Sequence, residues 1–327
     1  MDLNLHQLQA ITLGALNIRE ESDGFHFDRM TPTQVINFTQ AEEEFGPKCE
    51  VPSGVRLDFY TDSPVLALRW HKAEVVCGRT FCHFDVLVDG QLLLHNGVAD
   101  CRAESEGSFC VALPAGMHRV QVFFPVLNKA VIASVTLADG ATVMPHRCAR
   151  RILFHGDSIT QGYDAVFPSG SYANLLAQHY DAEILNQAIG GAMFNPAIVQ
   201  PVGAFDFVVV GYGTNDWSKK NITDFTADAA AFMARMNLTY GKLPVFVILP
   251  IWRGDTDRTD TAGDFMACRG ILARLAASQG FHVVDDYDLV PHDPRLFGDG
   301  YLHPTNAGFQ LYAQRLIELI DEKLALQ

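Results

Sequence analysis

The chain has 327 residues, of which 48% are hydrophobic, and 24 Lys and Arg against 38 Asp and Glu give a formal net charge of −14. That length exceeds what one hydrophobic core usually serves, so two domains are expected. A negative balance with no basic cluster to offset it excludes nucleic acid and anionic membrane as partners, because both need a basic surface to displace counterions.

No run reaches the ~18 apolar residues of a membrane span. Asp2, His6, Gln7, Gln9 and Arg19 interrupt the apolar residues of the first segment, which therefore does not read as a signal peptide. A cytoplasmic protein is expected. Its seven cysteines include no C-x-x-C pair and are expected to be free thiols, and the sequons at Asn37, Asn221 and Asn237 carry no weight without secretion. The twelve histidines include no H-E-x-x-H or other close pair with metal-ligand spacing, so no metal is expected.

The N-terminal part reads as short strands. Val55, Leu57 and Phe59 alternate with polar residues, Thr61-Asp62-Ser63-Pro64 breaks the run, and Leu66, Leu68 and Trp70 resume it, which predicts a hairpin. Phe84, Val86 and Val88 lead into Asp89-Gly90, a two-residue turn whose positions tolerate positive φ, and Leu92 and Leu94 follow. Val120, Val122 and Phe124, then Val131, Ala133, Val135 and Leu137, continue the period of two. Such spacing predicts an all-β sandwich, jelly-roll-like, over residues 1–147.

The rhythm changes at residues 144–151, a short basic connector, and a second domain is assigned to 148–327. Apolar runs at 152–154, 207–210, 245–249 and 283–284 have the character of buried parallel strands. Between and after them, Phe225, Ala229, Phe232, Met233 and Met236 share one helical face, as do Phe265, Cys268, Leu272 and Leu275. Phe309, Ala313, Leu316, Ile320 and Leu324 do the same near the C-terminus. Strand and helix in alternation predict a doubly wound α/β domain with a parallel sheet.

Four short blocks punctuate that domain: Gly156-Asp157-Ser158, Asn186 through Gly190-Gly191, Gly213-Thr214-Asn215-Asp216, and Asp299-Gly300-Tyr301-Leu302-His303-Pro304. Each follows a predicted strand or precedes a predicted helix. In this order they resemble the SGNH hydrolases, also called the GDSL esterase family, from roughly Arg150 onward. A β-rich domain ahead of such a domain is similar to several carbohydrate esterases of the family.

In an open parallel sheet, ligands bind beyond the carboxyl ends of the strands, and all four blocks lie at such ends. Ser158 is the candidate nucleophile and His303 the base that takes its proton, since imidazole titrates near neutrality and can return the proton to a leaving alcohol. Ser158 N–H, Gly191 N–H and the Asn215 side-chain amide are the candidate oxyanion donors. The family's acid lies three positions before the histidine, where this chain has Gly300. Two arrangements stay open: Asp299, four positions before, reaches the ring, or a Ser–His dyad is oriented by a backbone carbonyl.

Taken singly these residues have structural readings, an N-cap serine, a turn glycine, an Asx turn and a surface histidine, and it is their joint order that argues for chemistry. His155, His179, His282 and His292 lack such context. Tyr163, Asp164, Trp217, Trp252 and Arg253 follow blocks or strand ends and could line a pocket, with Trp217 and Trp252 stacking on a sugar; core packing is equally compatible with each. The N-terminal domain could bind carbohydrate or wall the cleft. The resemblance implies an esterase with no cofactor that removes a short acyl group, acetyl, from a small-molecule sugar ester. An acyltransferase, a lipid or thioester hydrolase and a non-catalytic carbohydrate-binding protein are the alternatives.

Overall fold

The computed structural model describes residues 1–325. Alternation of inward apolar residues builds two antiparallel sheets in the N-terminal half. One has the strands Thr12–Leu13, Arg56–Thr61, His118–Phe123, Cys82–Val88 and Gln91–Val98 in spatial order, with Met144–Pro145 also paired to Arg56–Thr61. The other runs Asn17–Glu21, Gly24–Asp28, Lys129–Leu137, Val65–Glu74 and Gly107–Ala112. Leu57, Phe59, Phe84, Val86, Val120 and Val122 of the first meet Leu66, Leu68, Trp70, Ile132 and Val135 of the second in one buried core.

Asp89 and Gly90, at φ 49° and 79°, make the expected tight turn between paired strands. The hairpin expected across Thr61–Pro64 does not form. Arg56–Thr61 and Val65–Glu74 lie in different sheets, and the turn carries the chain across the sandwich. Both strands still turn apolar residues into the same core, so the alternating pattern is identical for a hairpin and for a crossing.

The C-terminal half is a five-stranded, all-parallel sheet in the order Ala182–Asn186, Arg150–Gly156, Phe207–Gly211, Val245–Ile248 and His282–Val284. Helices Ile222–Tyr240 and Phe265–Ser278 contribute Phe225, Phe232, Met233 and Leu272 to the core on one face. Helices Tyr172–His179 and Asn306–Leu324 contribute Leu176, Phe309, Leu316 and Ile320 to the core on the other. The seven cysteines are unpaired. Among the described residues no helix is long and apolar enough to cross a membrane.

Three helices lie in the part of the chain read as strands alone: Leu5–Ile11, Pro32–Ala41 and Phe45–Cys49. The second starts with a capping box in which Thr31 and Gln34 bond reciprocally. Met30, Phe38, Phe45 and Cys49 leave the sandwich and join the α/β core beside Leu153, Leu185 and Ile189. Arg29, fully buried, fastens this segment: its guanidinium donates to the carbonyls of Lys48, Val51, Asn186 and Ala188 at 2.6–3.1 Å. Burial pushes its pKa down to about 10, and carbonyl dipoles take the place of a counterion.

Candidate active site

The strand Arg150–Gly156 ends against the helix Ser158–Gln161, whose N-cap is Asp157; its carboxylate accepts from Ile159 N at 3.0 Å. Burial raises the Asp157 carboxyl to about 7, an effect opposed by that amide bond and increased by nearby Asp216. Ser158 is thereby held at the first helical position. Its hydroxyl lies 2.8 Å from His303 Nε2.

His303 Nδ1 lies 2.6 Å from Asp299 Oδ2. The reach depends on Gly300, whose φ of +82° is a left-handed conformation that favours glycine, and which folds the loop back so that three amides converge on Asp299. Tyr301, Leu302 and His303 donate their N–H groups to Asp299 Oδ1 at 3.1, 2.9 and 3.1 Å. Burial opposes ionisation of Asp299, but the His303 ring and the amides of Leu302 and His303 outweigh it and hold the carboxyl well below its ordinary range. No backbone carbonyl takes the place of Asp299 on the ring.

The loop after Ala182–Asn186 carries Gly191 at φ +90°, and a Cβ on its neighbour Gly190 would run into the Tyr163 ring that stacks on His303. Asn215, in the helix Thr214–Lys219 that follows Phe207–Gly211, donates one side-chain N–H to Ala192 O at 3.1 Å and keeps the other. Among the described residues, neither the Ser158 nor the Gly191 amide donates to a protein acceptor. The Ser158 and Gly191 amides and the second Asn215 side-chain N–H are thus donors without a protein acceptor among the described residues.

Tyr163 and Asp164 border this arrangement. The Tyr163 ring stacks on the His303 imidazole at 5.0 Å. Asp164 takes a bidentate bond from Arg79 at 2.6 and 3.0 Å, a residue of the N-terminal half whose guanidinium also lies over Tyr163 at 5.6 Å. Asp164, Asp299 and His303 place ligand-type atoms within 4.8 Å of one another, but Asp164 is committed to Arg79 and the other two to each other.

Two suggested pocket residues are core. Trp217 is fully buried, donates its indole N–H to Gly263 O at 2.8 Å and packs edge-on to Phe265, so neither ring face can meet a sugar. Arg253, 3% exposed, bonds Asp255 and Thr214 and lies over the Trp217 ring, which leaves it no free fork for a carboxylate. Trp252 is half-buried, with the His292 ring stacked on it at 5.0 Å and Phe297 beside it. A cleft of about 300 Å³ flanks the residues after Gly191, between Phe38, Phe45, Met193, Phe194 and Pro196.

Sequence reasoning missed Arg79, Lys48 and the helix that carries Lys48. Lys48 donates to Glu44 at 2.9 Å and to Gly190 O at 3.0 Å. The Thr31–Gln34 capping box was a visible signal for the helix that precedes it; nothing local marks the two cations.

A parallel α/β sheet with a Ser–His–Asp relay at the carboxyl ends of its strands defines an ester hydrolase domain of the SGNH type. The C-terminal part of the chain carries a domain of the GDSL-like lipase/acylhydrolase family, matched over residues 154–311, and residues 13–133 match the SsfX3 N-terminal domain. Among solved structures the chain is similar to the salicylyl-acyltransferase SsfX3 from a tetracycline biosynthetic pathway, with TM-score 0.80 and 21% identity over 95% of this chain and 94% of that one. It is also similar to a family two carbohydrate esterase from Clostridium thermocellum in complex with cellohexaose, with TM-score 0.63 and 19% identity over 84% of this chain and 94% of that one. An acetyl xylan esterase from Butyrivibrio proteoclasticus has TM-score 0.57 and 13% identity over 83% of this chain and 90% of that one. A search of curated proteins gives no match. At these identities the structural likeness shows a shared fold.

Proposed function

We propose that this protein is a serine esterase that removes a short acyl group, acetyl, from an oxygen ester of a carbohydrate through an acyl-serine intermediate. Ser158 Oγ attacks the ester carbonyl as its proton passes to His303 Nε2, and Asp299 fixes the ring tautomer and stabilises the imidazolium. The carbonyl oxygen becomes an oxyanion that accepts from Ser158 N–H, Gly191 N–H and Asn215 Nδ2–H. Collapse expels the alcohol, which takes the proton from His303. Water, deprotonated by the same ring, then releases the acid and restores Ser158.

The observation that carries this reading is the pair of contacts, 2.8 Å and 2.6 Å, that joins Ser158, His303 and Asp299. Its carbohydrate part is supported by the likeness in fold to a carbohydrate esterase in complex with cellohexaose and to an acetyl xylan esterase.

A second reading, transfer of the acyl group to an alcohol instead of water, is favoured by the N-terminal match to SsfX3 and by the cleft at residues 192–196, which combines Phe38, Phe45 and Phe194 with Glu42, Lys220 and Asp228 and is roomier than acetyl needs. One series separates them: kcat/KM on acetyl, butyryl, octanoyl and benzoyl nitrophenyl esters and on acetylated xylo-oligosaccharides, with and without an added alcohol. Highest efficiency on acetyl esters with release of free acetate supports the esterase. Efficiency that rises with acyl size, or a product that is mainly the new ester, overturns it.

A further inference from the structure

We infer that Lys48, supplied by the N-terminal half, is a positioning residue for the oxyanion site: it holds and polarises the Gly190–Gly191 peptide so that the Gly191 N–H faces the reacting carbonyl. The inference rests on the proposed role of Gly191.

In a trans peptide the C=O and the N–H share a plane and point in opposite directions. Gly190 O and Gly191 N–H belong to one such unit, and there are no cis peptides among the described residues. Whatever grips Gly190 O therefore aims Gly191 N–H the other way. Lys48 Nζ lies 3.0 Å from that oxygen and is the one donor on it among the described residues. The grip matters because this peptide joins two glycines. Without Cβ atoms on either side, rotation of the plane meets little steric resistance, and a flipped peptide would present a carbonyl oxygen to the oxyanion.

Further contacts hold the backbone on either side of this unit. Gly190 N–H donates to Gln161 Oε1 at 2.7 Å, and Gln161 Nε2 in turn donates to Val126 O of the N-terminal half at 3.0 Å. The Phe45 ring lies 3.3 Å from where a Gly191 Cβ would stand, closing that side of the loop.

The Lys48 side chain is only 8% exposed, so its bonds act in a poorly hydrated setting where charge-assisted hydrogen bonds are strongest. A cation on the carbonyl draws electron density from the peptide and makes its N–H a better donor to a forming anion. Glu44 has a second part in this. Its Oε1, 2.9 Å from Lys48 Nζ, would lie 3.8 Å from a Cβ on Gly191, so the carboxylate stands close to the site of developing negative charge. Lys48 offsets it there.

Lys48→Met tests the inference with nitrophenyl acetate as substrate and an aryl trifluoromethyl ketone as a probe that forms an ionised tetrahedral adduct with Ser158. The folded fraction is counted by fluorophosphonate labelling. The expected result is a kcat about 10-fold lower, KM changed less than about twofold, and adduct affinity weakened in step with kcat. Lys48→Arg, which keeps a cationic donor, should recover most of the loss. Glu44→Gln combined with Lys48→Met should remain impaired, because removing the carboxylate does not restore the grip on Gly190 O.

If Lys48→Met yields no folded protein, Lys48→Ala, which likewise removes the donor, carries the same expectation. Normal kcat and normal adduct affinity in the charge-removing variant, or full recovery in the double variant, overturns the inference. Ser158→Ala and Asn215→Ala run in the same assay identify the source of a failure. If both are strongly impaired and Lys48→Met is not, Lys48 alone is misassigned; if both turn over normally, the underlying reading of the site falls and takes the Lys48 role with it.

Discussion

A serine hydroxyl becomes a nucleophile only when its proton has a destination, and in this chain His303 Nε2 lies 2.8 Å from the Ser158 hydroxyl. Ser158, Asn215 and His303 could be selected from sequence because each sits in a short block at the end of a predicted strand or start of a helix. Asp299 could not be settled there. Spacing alone leaves a carboxylate four positions before the histidine free to reach the ring or miss it, and the outcome turns on the left-handed φ of Gly300 and on three amides that close on one carboxylate oxygen. Trp217 and Arg253 stay open between pocket and core in the sequence for a related reason: their position after a block is local, whereas their burial against Phe265 and Asp255 is tertiary. Asp299→Asn should keep the fold and lower kcat by at least ~10²-fold, because an amide neither fixes the productive tautomer nor stabilises the imidazolium. Steady-state kinetics with circular dichroism as the fold control checks this; a loss of only a few-fold would mean that the ring is oriented without Asp299.

The helices Pro32–Ala41 and Phe45–Cys49 tie the two halves together at the level of elements. Their apolar residues, Phe38 and Phe45 among them, were read as part of an all-β region because period-two segments dominate the surrounding chain. The Thr31 and Gln34 pair marked the helix start more reliably than composition did. Thr31→Ala removes the acceptor for Gln34 N–H and should cost about 1 kcal/mol, lowering Tm by a few degrees in a scanning calorimeter. An unchanged Tm would mean that tertiary packing alone sets this helix. In the C-terminal half, short apolar runs separated by helical faces placed the parallel strands well, since strands buried on both faces carry little else. The crossing at Thr61–Pro64 was illegible because sheet membership depends on distant partners.

Across the whole molecule, buried titratable groups shape stability against pH in opposing directions. His155, at the end of the first parallel strand, is fully buried with neither ring nitrogen hydrogen-bonded among the described residues, and burial pushes its pKa down from 6.5 to about 3. Between those values the unfolded chain binds the proton and the folded chain does not, so this group removes stability as pH falls. Asp157 does the reverse. Its folded carboxyl at about 7 holds a proton that the unfolded one releases near 3.8, so its contribution falls as pH rises through that window. His155→Phe, which keeps a ring against Phe232, should therefore gain stability relative to the parent at about pH 4.5 more than at about pH 7.5 in urea unfolding. An equal difference at both pH values would show that folding leaves the His155 pKa unchanged.

If turnover passes through an ester on Ser158, rapid-quench mass spectrometry during hydrolysis of an acetyl ester will capture it. The expected result is an acetyl adduct on the peptide that contains Ser158, formed and lost at rates that account for kcat, with both adduct and activity absent in folded Ser158→Ala. A Ser158→Ala protein that hydrolyses the ester at a near-normal rate with no covalent adduct at this position would contradict it.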